Sequence, residues 1–83
     1  MKFYTYILFS EQLNRYYVGS TIEVDGRLER HLSSKKGYTA KAKDWEIKYY
    51  ETYNTRSEAV KSELQIKKWK SRNMIQKLIN GVQ

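Results

Sequence analysis

The stretch from Lys2 to Phe9 limits the fold more than any other part of this chain. Aromatic and β-branched residues fill it, and alternation sorts them into two sets, with Phe3, Thr5, Ile7 and Phe9 on one face and Tyr4, Tyr6 and Leu8 on the other. That period of two is the signature of a strand. Ser10 to Asn14 is polar and Arg15 to Gly19 is again β-prone, so the two runs predict a hairpin with a loop of moderate length. From Thr21 onward Val24, Leu28 and Leu32 recur every fourth residue, which predicts a helix that starts at Ser20 or Thr21 and ends before Lys36-Gly37. Gly26, inside that helix, costs roughly 0.5 to 1 kcal/mol relative to Ala. Lys35 to Asp44 is basic and aperiodic, the pattern of a surface loop. Trp45, Ile47, Tyr49 and Tyr53 then alternate with Glu46, Lys48, Tyr50 and Thr52, predicting a third strand with one buried face. Thr55 and Glu58 are spaced as a capping box at the start of a long helix, with a break near Ser71 to Asn73 and Gly81 at its end. The order β-β-α-β-α predicts an α+β fold, a small, three-stranded, mostly antiparallel sheet packed by helices on one side.

A chain of 83 residues has room for one domain, spanning residues 1–83. It contains no cysteine, so no disulfide framework or thiolate metal site is expected, and a reducing cytoplasm fits. There is also no proline, no internal repeat and no low-complexity stretch to mark a linker. The apolar start is too short for a membrane-spanning helix and lacks the cleavage site of a signal peptide. Sixteen Lys and Arg against nine Asp and Glu give a net charge of +7. On so small a body this charge makes polyanions the natural partners. A membrane surface fits less well, because the basic residues are not gathered opposite a broad apolar helix face.

Five side chains could carry chemistry, each with an ordinary structural alternative. Tyr6 and Tyr17 emerge on one side of the sheet if the hairpin is in register, although tyrosines in a small α+β protein also serve as core. Arg27 and His31 are four residues apart and share a helix face. A guanidinium and an imidazole suit phosphoryl chemistry, and they equally suit a solvated helix edge. Glu63 lies beside the apolar stripe of the last helix, where it could hold a Mg2+ ion or pair with Lys67 four residues on. The basic residues Lys35, Lys36, Lys41, Lys43, Lys67, Lys68, Lys70 and Arg72 could track a DNA backbone, or form solvated helix ends.

In order and spacing these residues resemble the GIY-YIG nuclease family in its small stand-alone form, from about Tyr4 to about Ile79. Tyr4-Thr5-Tyr6 stands at the first motif and Tyr17-Val18-Gly19 at the second. Arg27 follows ten residues after Tyr17, His31 four later, and Thr55-Arg56-Ser57-Glu58-Ala59 with Glu63 completes the match. Tyr4 and Thr5 replace the usual Gly and Ile, and Ser20 stands where excision-repair relatives carry lysine. The resemblance implies that Tyr17 orients or deprotonates the attacking water, with Tyr6 as its hydrogen-bonding partner. It implies that Arg27 stabilises the phosphoryl transition state, that His31 assists proton transfer, and that Glu63 holds one Mg2+ or Mn2+.

The expected function is therefore divalent-metal-dependent endonucleolytic cleavage of DNA, with structure preferred over sequence, in repair or recombination. RNA as substrate and a protein partner supplying specificity remain open. A binding module without chemistry, or a partner-dependent nuclease subunit, is the competing expectation.

Overall fold

The computed structural model describes residues 2–33, 37–69 and 71–81, and for Asp25 and Tyr38 the backbone alone. The elements are strand β1 (Phe3–Ser10), strand β2 (Arg15–Thr21), helix α1 (Val24–Ser33), a 3-10 turn (Tyr38–Lys41), strand β3 (Glu46–Tyr53), and helices α2 (Arg56–Trp69) and α3 (Arg72–Asn80). This is the expected α+β order with the last helix divided in two. The sheet runs β2-β1-β3 with both pairs antiparallel.

β1 lies between the other strands and is buried on both faces, as Thr5, Tyr6, Ile7 and Leu8 all show. Tyr6 and Leu8 pack with Ala42 and Trp45 and with Val24, Leu28 and Leu32 of α1. Ile7 packs on the opposite face with Val18 and Ile66, joined by Trp69, Ile75, Leu78 and Ile79 of α2 and α3. Helices thus cover both faces of the sheet, where the sequence had suggested one. The reason is that both alternating sets of β1 are apolar, and an uncovered set would forgo about 25 cal/mol for each Å² kept from water.

β3 serves both layers through a bulge. Ile7 faces Tyr49 while the next residue, Leu8, faces Ile47, so Lys48 is an extra residue in the ladder. Ile47 consequently joins the α1 side and Tyr49 the α2 side, which breaks the single buried face expected for Ile47, Tyr49 and Tyr53. Trp45 lies just before the strand, and its Nε1–H donates to the carbonyl of Thr39 at 3.0 Å. Through that bond the Lys35–Asp44 stretch, expected on the surface, brings buried Thr39 and Ala42 into the core.

Local signals set the remaining junctions. Asn14 closes the hairpin with φ 55°, a left-handed conformation that Asn tolerates better than most residues. The Thr55 hydroxyl accepts from the Glu58 N–H at 3.2 Å, as the box predicted. Ser71 caps α3 and Gly81, at φ 68°, ends it. Thr5 donates to the carbonyl of Ala59 at 2.7 Å, seating the small-residue face of α2 directly on β1. Among the described residues no helix is long and apolar enough to cross a membrane.

Candidate active site

Tyr6 lies at the centre of the site, and the hairpin register puts it there. It faces Gly19 on β2, and Leu8 faces Tyr17, so both phenols rise from the same side of the sheet. The ring of Tyr6 lies across Gly19 so closely that a β-carbon there would fall 2.7 Å from its Cζ. The rings of Tyr6 and Tyr17 are 6.5 Å apart between centroids.

α1 brings His31 over this pair. The Tyr6 hydroxyl and His31 Nε2 share a hydrogen bond of 2.9 Å, and His31 Nδ1 shares one of 3.0 Å with the Thr39 hydroxyl. Tyr17 meets the imidazole edge-on at 4.8 Å and Trp45 at 6.3 Å. Both ring nitrogens of His31 are therefore engaged, and a proton reaches it by way of Tyr6 or Thr39. Burial, aided by Arg27, holds the His31 pKa below its ordinary value and favours the neutral imidazole. Burial pushes the Tyr6 phenol up, with Tyr17 and Glu63 adding to the rise and Arg27 opposing it. Tyr6 thus stays protonated at neutral pH. Tyr17, Arg27 and Glu63 thus all act electrostatically on this one hydroxyl.

β2 is an edge strand with a neighbour on one side only, and α1 and α2 lie on opposite faces of the sheet. Glu63 of α2 is mostly buried, and its carboxylate pairs with Lys67 at 2.7 Å. Both alternatives weighed for Glu63 are thus physically available. Among the described residues no three His, Cys, Asp or Glu side chains cluster as a metal cage. One carboxylate beside a substrate phosphate still fits Mg2+, which keeps several waters and takes few protein ligands.

The basic residues divide differently. Lys41, Lys43 and Lys68 are exposed, Lys67 is paired with Glu63, and Lys35, Lys36 and Lys70 lie outside the described residues. Arg72 turns inward. It donates to the carbonyl and side-chain oxygens of Asn14, and it stacks 5.8 Å from the Phe9 ring centroid and 5.4 Å from that of Tyr16. Sequence reasoning missed Thr39, which bonds His31 from a stretch without periodicity, and gave Trp45, whose ring meets Tyr17, only a place in a strand. It also passed over Arg30, although its spacing of three from Arg27 was a usable signal.

The sequence model of the GIY-YIG catalytic domain matches residues 2–77. Among solved structures, the solution NMR structure of the UPF0213 protein BH0048 from Bacillus halodurans is similar, with a TM-score of 0.60 and 28% identity over 99% of this chain and 86% of that one. No curated protein matches.

Proposed function

Because the chain belongs to the GIY-YIG family, a nuclease superfamily, we propose that it is a divalent-metal-dependent endonuclease that hydrolyses DNA phosphodiester bonds as a single-domain catalytic module. The observation that carries this reading is the Tyr6 hydroxyl, bonded to His31 and within electrostatic reach of Tyr17, Arg27 and Glu63. A guanidinium, two phenols, a neutral imidazole and a carboxylate acting together supply what phosphoryl transfer requires: charge for the non-bridging oxygens and groups that move a proton.

In this reading Arg27 binds the non-bridging oxygens of the scissile phosphate. Tyr17, which Trp45 and His31 hold by their ring edges, orients the attacking water and takes part in removing its proton. Tyr6, kept protonated by burial, and His31, kept neutral by burial, form with Thr39 a chain of hydrogen bonds beside the Tyr17 ring that passes the proton on. As the oxygen–phosphorus bond of the attacking water forms, the bond to the leaving sugar oxygen breaks. Glu63 would hold the ion, Mg2+ or Mn2+, whose charge offsets that of the scissile phosphate and the departing oxygen. Backbone contacts dominate such a site, so selectivity follows the shape of the DNA more than its sequence, as in repair or recombination.

The test is nicking of supercoiled plasmid and of flapped or branched DNA with Mg2+ or Mn2+, then with chelator. Cleavage is expected to vanish with chelator and with Glu63→Ala, and to fall at least a hundredfold for Tyr17→Phe and Arg27→Ala. Wild-type protein that binds DNA yet cuts none of these substrates overturns the reading in favour of a binding module.

A further inference from the structure

Beyond Tyr6 and Arg27, at the end of β2, a cavity of about 250 Å³ opens between α1 and α2. Arg27 and Arg30 of α1 and Arg56 of α2 line it, together with Ser20, Gly26 and Glu23. Three guanidiniums to one carboxylate is a strong excess of positive charge for so small a space. It is also uncompensated: among the described residues no Asp or Glu lies within ion-pair distance of Arg27, Arg30 or Arg56. The contrast is Lys67, whose charge Glu63 neutralises.

The three groups are held in place by different means. Arg27 and Arg30, three residues apart, share one face of α1. Arg56, the first residue of α2, rests its guanidinium 5.6 Å from the centroid of the Phe3 ring, a contact that fixes it at the cavity wall. At Gly26 the helix has no side chain, and the Glu23 carboxylate folds down there, 3.1 Å from where a β-carbon would stand. The space lies below the roughly 300 Å³ at which pockets for drug-sized molecules begin, and it suits a group the size of a hydrated phosphodiester.

We propose that this cavity is a second phosphate site, in which Arg30 and Arg56 hold the backbone phosphate next to the one bound by Arg27. The proposal rests on the nuclease reading for its strand of nucleic acid. It adds a function for two arginines outside the reacting groups: they set how far and in which direction the strand extends from the scissile bond. Glu23 opposes entry, so only a full negative charge shared among several guanidiniums is retained there.

The experiment measures binding of a short single-stranded oligonucleotide by the full chain, without divalent metal, in a salt series. Arg30→Gln with Arg56→Gln is expected to weaken binding about tenfold or more and to make the log–log salt slope shallower by about 0.7, the value for one lost phosphate contact. Glu23→Gln is expected to tighten binding, an effect that a merely structural role would not produce. Oligonucleotides carrying one neutral methylphosphonate are then scanned along the strand. At one position the substitution weakens wild type but adds nothing in the double arginine variant, because both remove the same contact. Unchanged affinity and slope in the double variant, or no position of non-additivity, overturns the proposal. Normal behaviour here with no cleavage of any DNA upholds the phosphate site and removes the nuclease reading.

Discussion

Gly19 supports Tyr6: the hydroxyl end of the phenol ring lies so close to the glycine that no methyl group fits between them. The second motif's glycine therefore acts through sterics. Gly19→Ala should drive Tyr6 off its position, destabilise the fold by about 1–3 kcal/mol through overpacking, and break the bond to His31. Urea unfolding reads the first effect and the imidazole NMR resonances the second. An unperturbed imidazole in a folded variant would contradict the arrangement.

His31 should make stability depend on pH. Its folded pKa lies below its ordinary value of 6.5, so under that pH the unfolded chain binds a proton more readily than the folded one. Stability is thus unaffected by this group above pH 7 and declines as pH falls from about 6.5. The urea midpoint is expected to drop between pH 7.5 and 5.5 in wild type and to stay flatter in His31→Gln.

In the proposed site Lys67 would compete with the ion for Glu63. Lys67 is 47% exposed and its partner 16%, and helical pairs at this spacing contribute only about 0.3–0.5 kcal/mol. A cation and a phosphate can therefore displace the ammonium. Lys67→Met should lower the Mn2+ concentration that half-saturates the protein–DNA complex by about twofold, as measured by electron paramagnetic resonance.

Glu51 has a purely structural task under α2. Its carboxylate accepts from Tyr49 at 2.7 Å, Tyr53 at 2.6 Å and Ser62 at 3.1 Å. Burial raises its pKa, but these three donors outweigh burial and leave it below the ordinary value. Glu51→Ala should destabilise by about 1–3 kcal/mol at neutral pH, a difference that shrinks as wild type is acidified toward pH 4. DNA affinity should not change, and a loss of binding in folded variant would sink this assignment.

Arg72, expected on the DNA backbone, also ties α3 to the hairpin through its contacts with Asn14, Phe9 and Tyr16, and we propose that this tie is its task. Arg72→Ala should lower stability by about 1 kcal/mol and leave the salt slope of DNA binding as it was. A shallower slope would support its expected place on the DNA backbone.

Much of this was legible in the sequence because it depends on local periodicity. Alternation in Lys2–Phe9 assigned Tyr6 and Tyr17 to one side, the four-residue spacing placed Arg27 beside His31, and Thr55 with Glu58 marked the start of α2. What stayed hidden depends on pairing at a distance. The bulge at Lys48 exists only in relation to β1, so the alternation of Ile47, Tyr49 and Tyr53 read as one face. Thr39 reaches the site from an aperiodic stretch, tied to it by the bond that the Trp45 side chain donates to its carbonyl. The partnership of Arg56 with Arg27 and Arg30 needs two helices whose separation no spacing records.

The bulge also couples the two sides of the molecule. A strand that sends Ile47 one way and Tyr49 the other cannot detach from the first helical layer while remaining on the second. Amide protons of β3 should consequently exchange only when the whole chain opens, giving the protein one shared unfolding event in place of two separable halves.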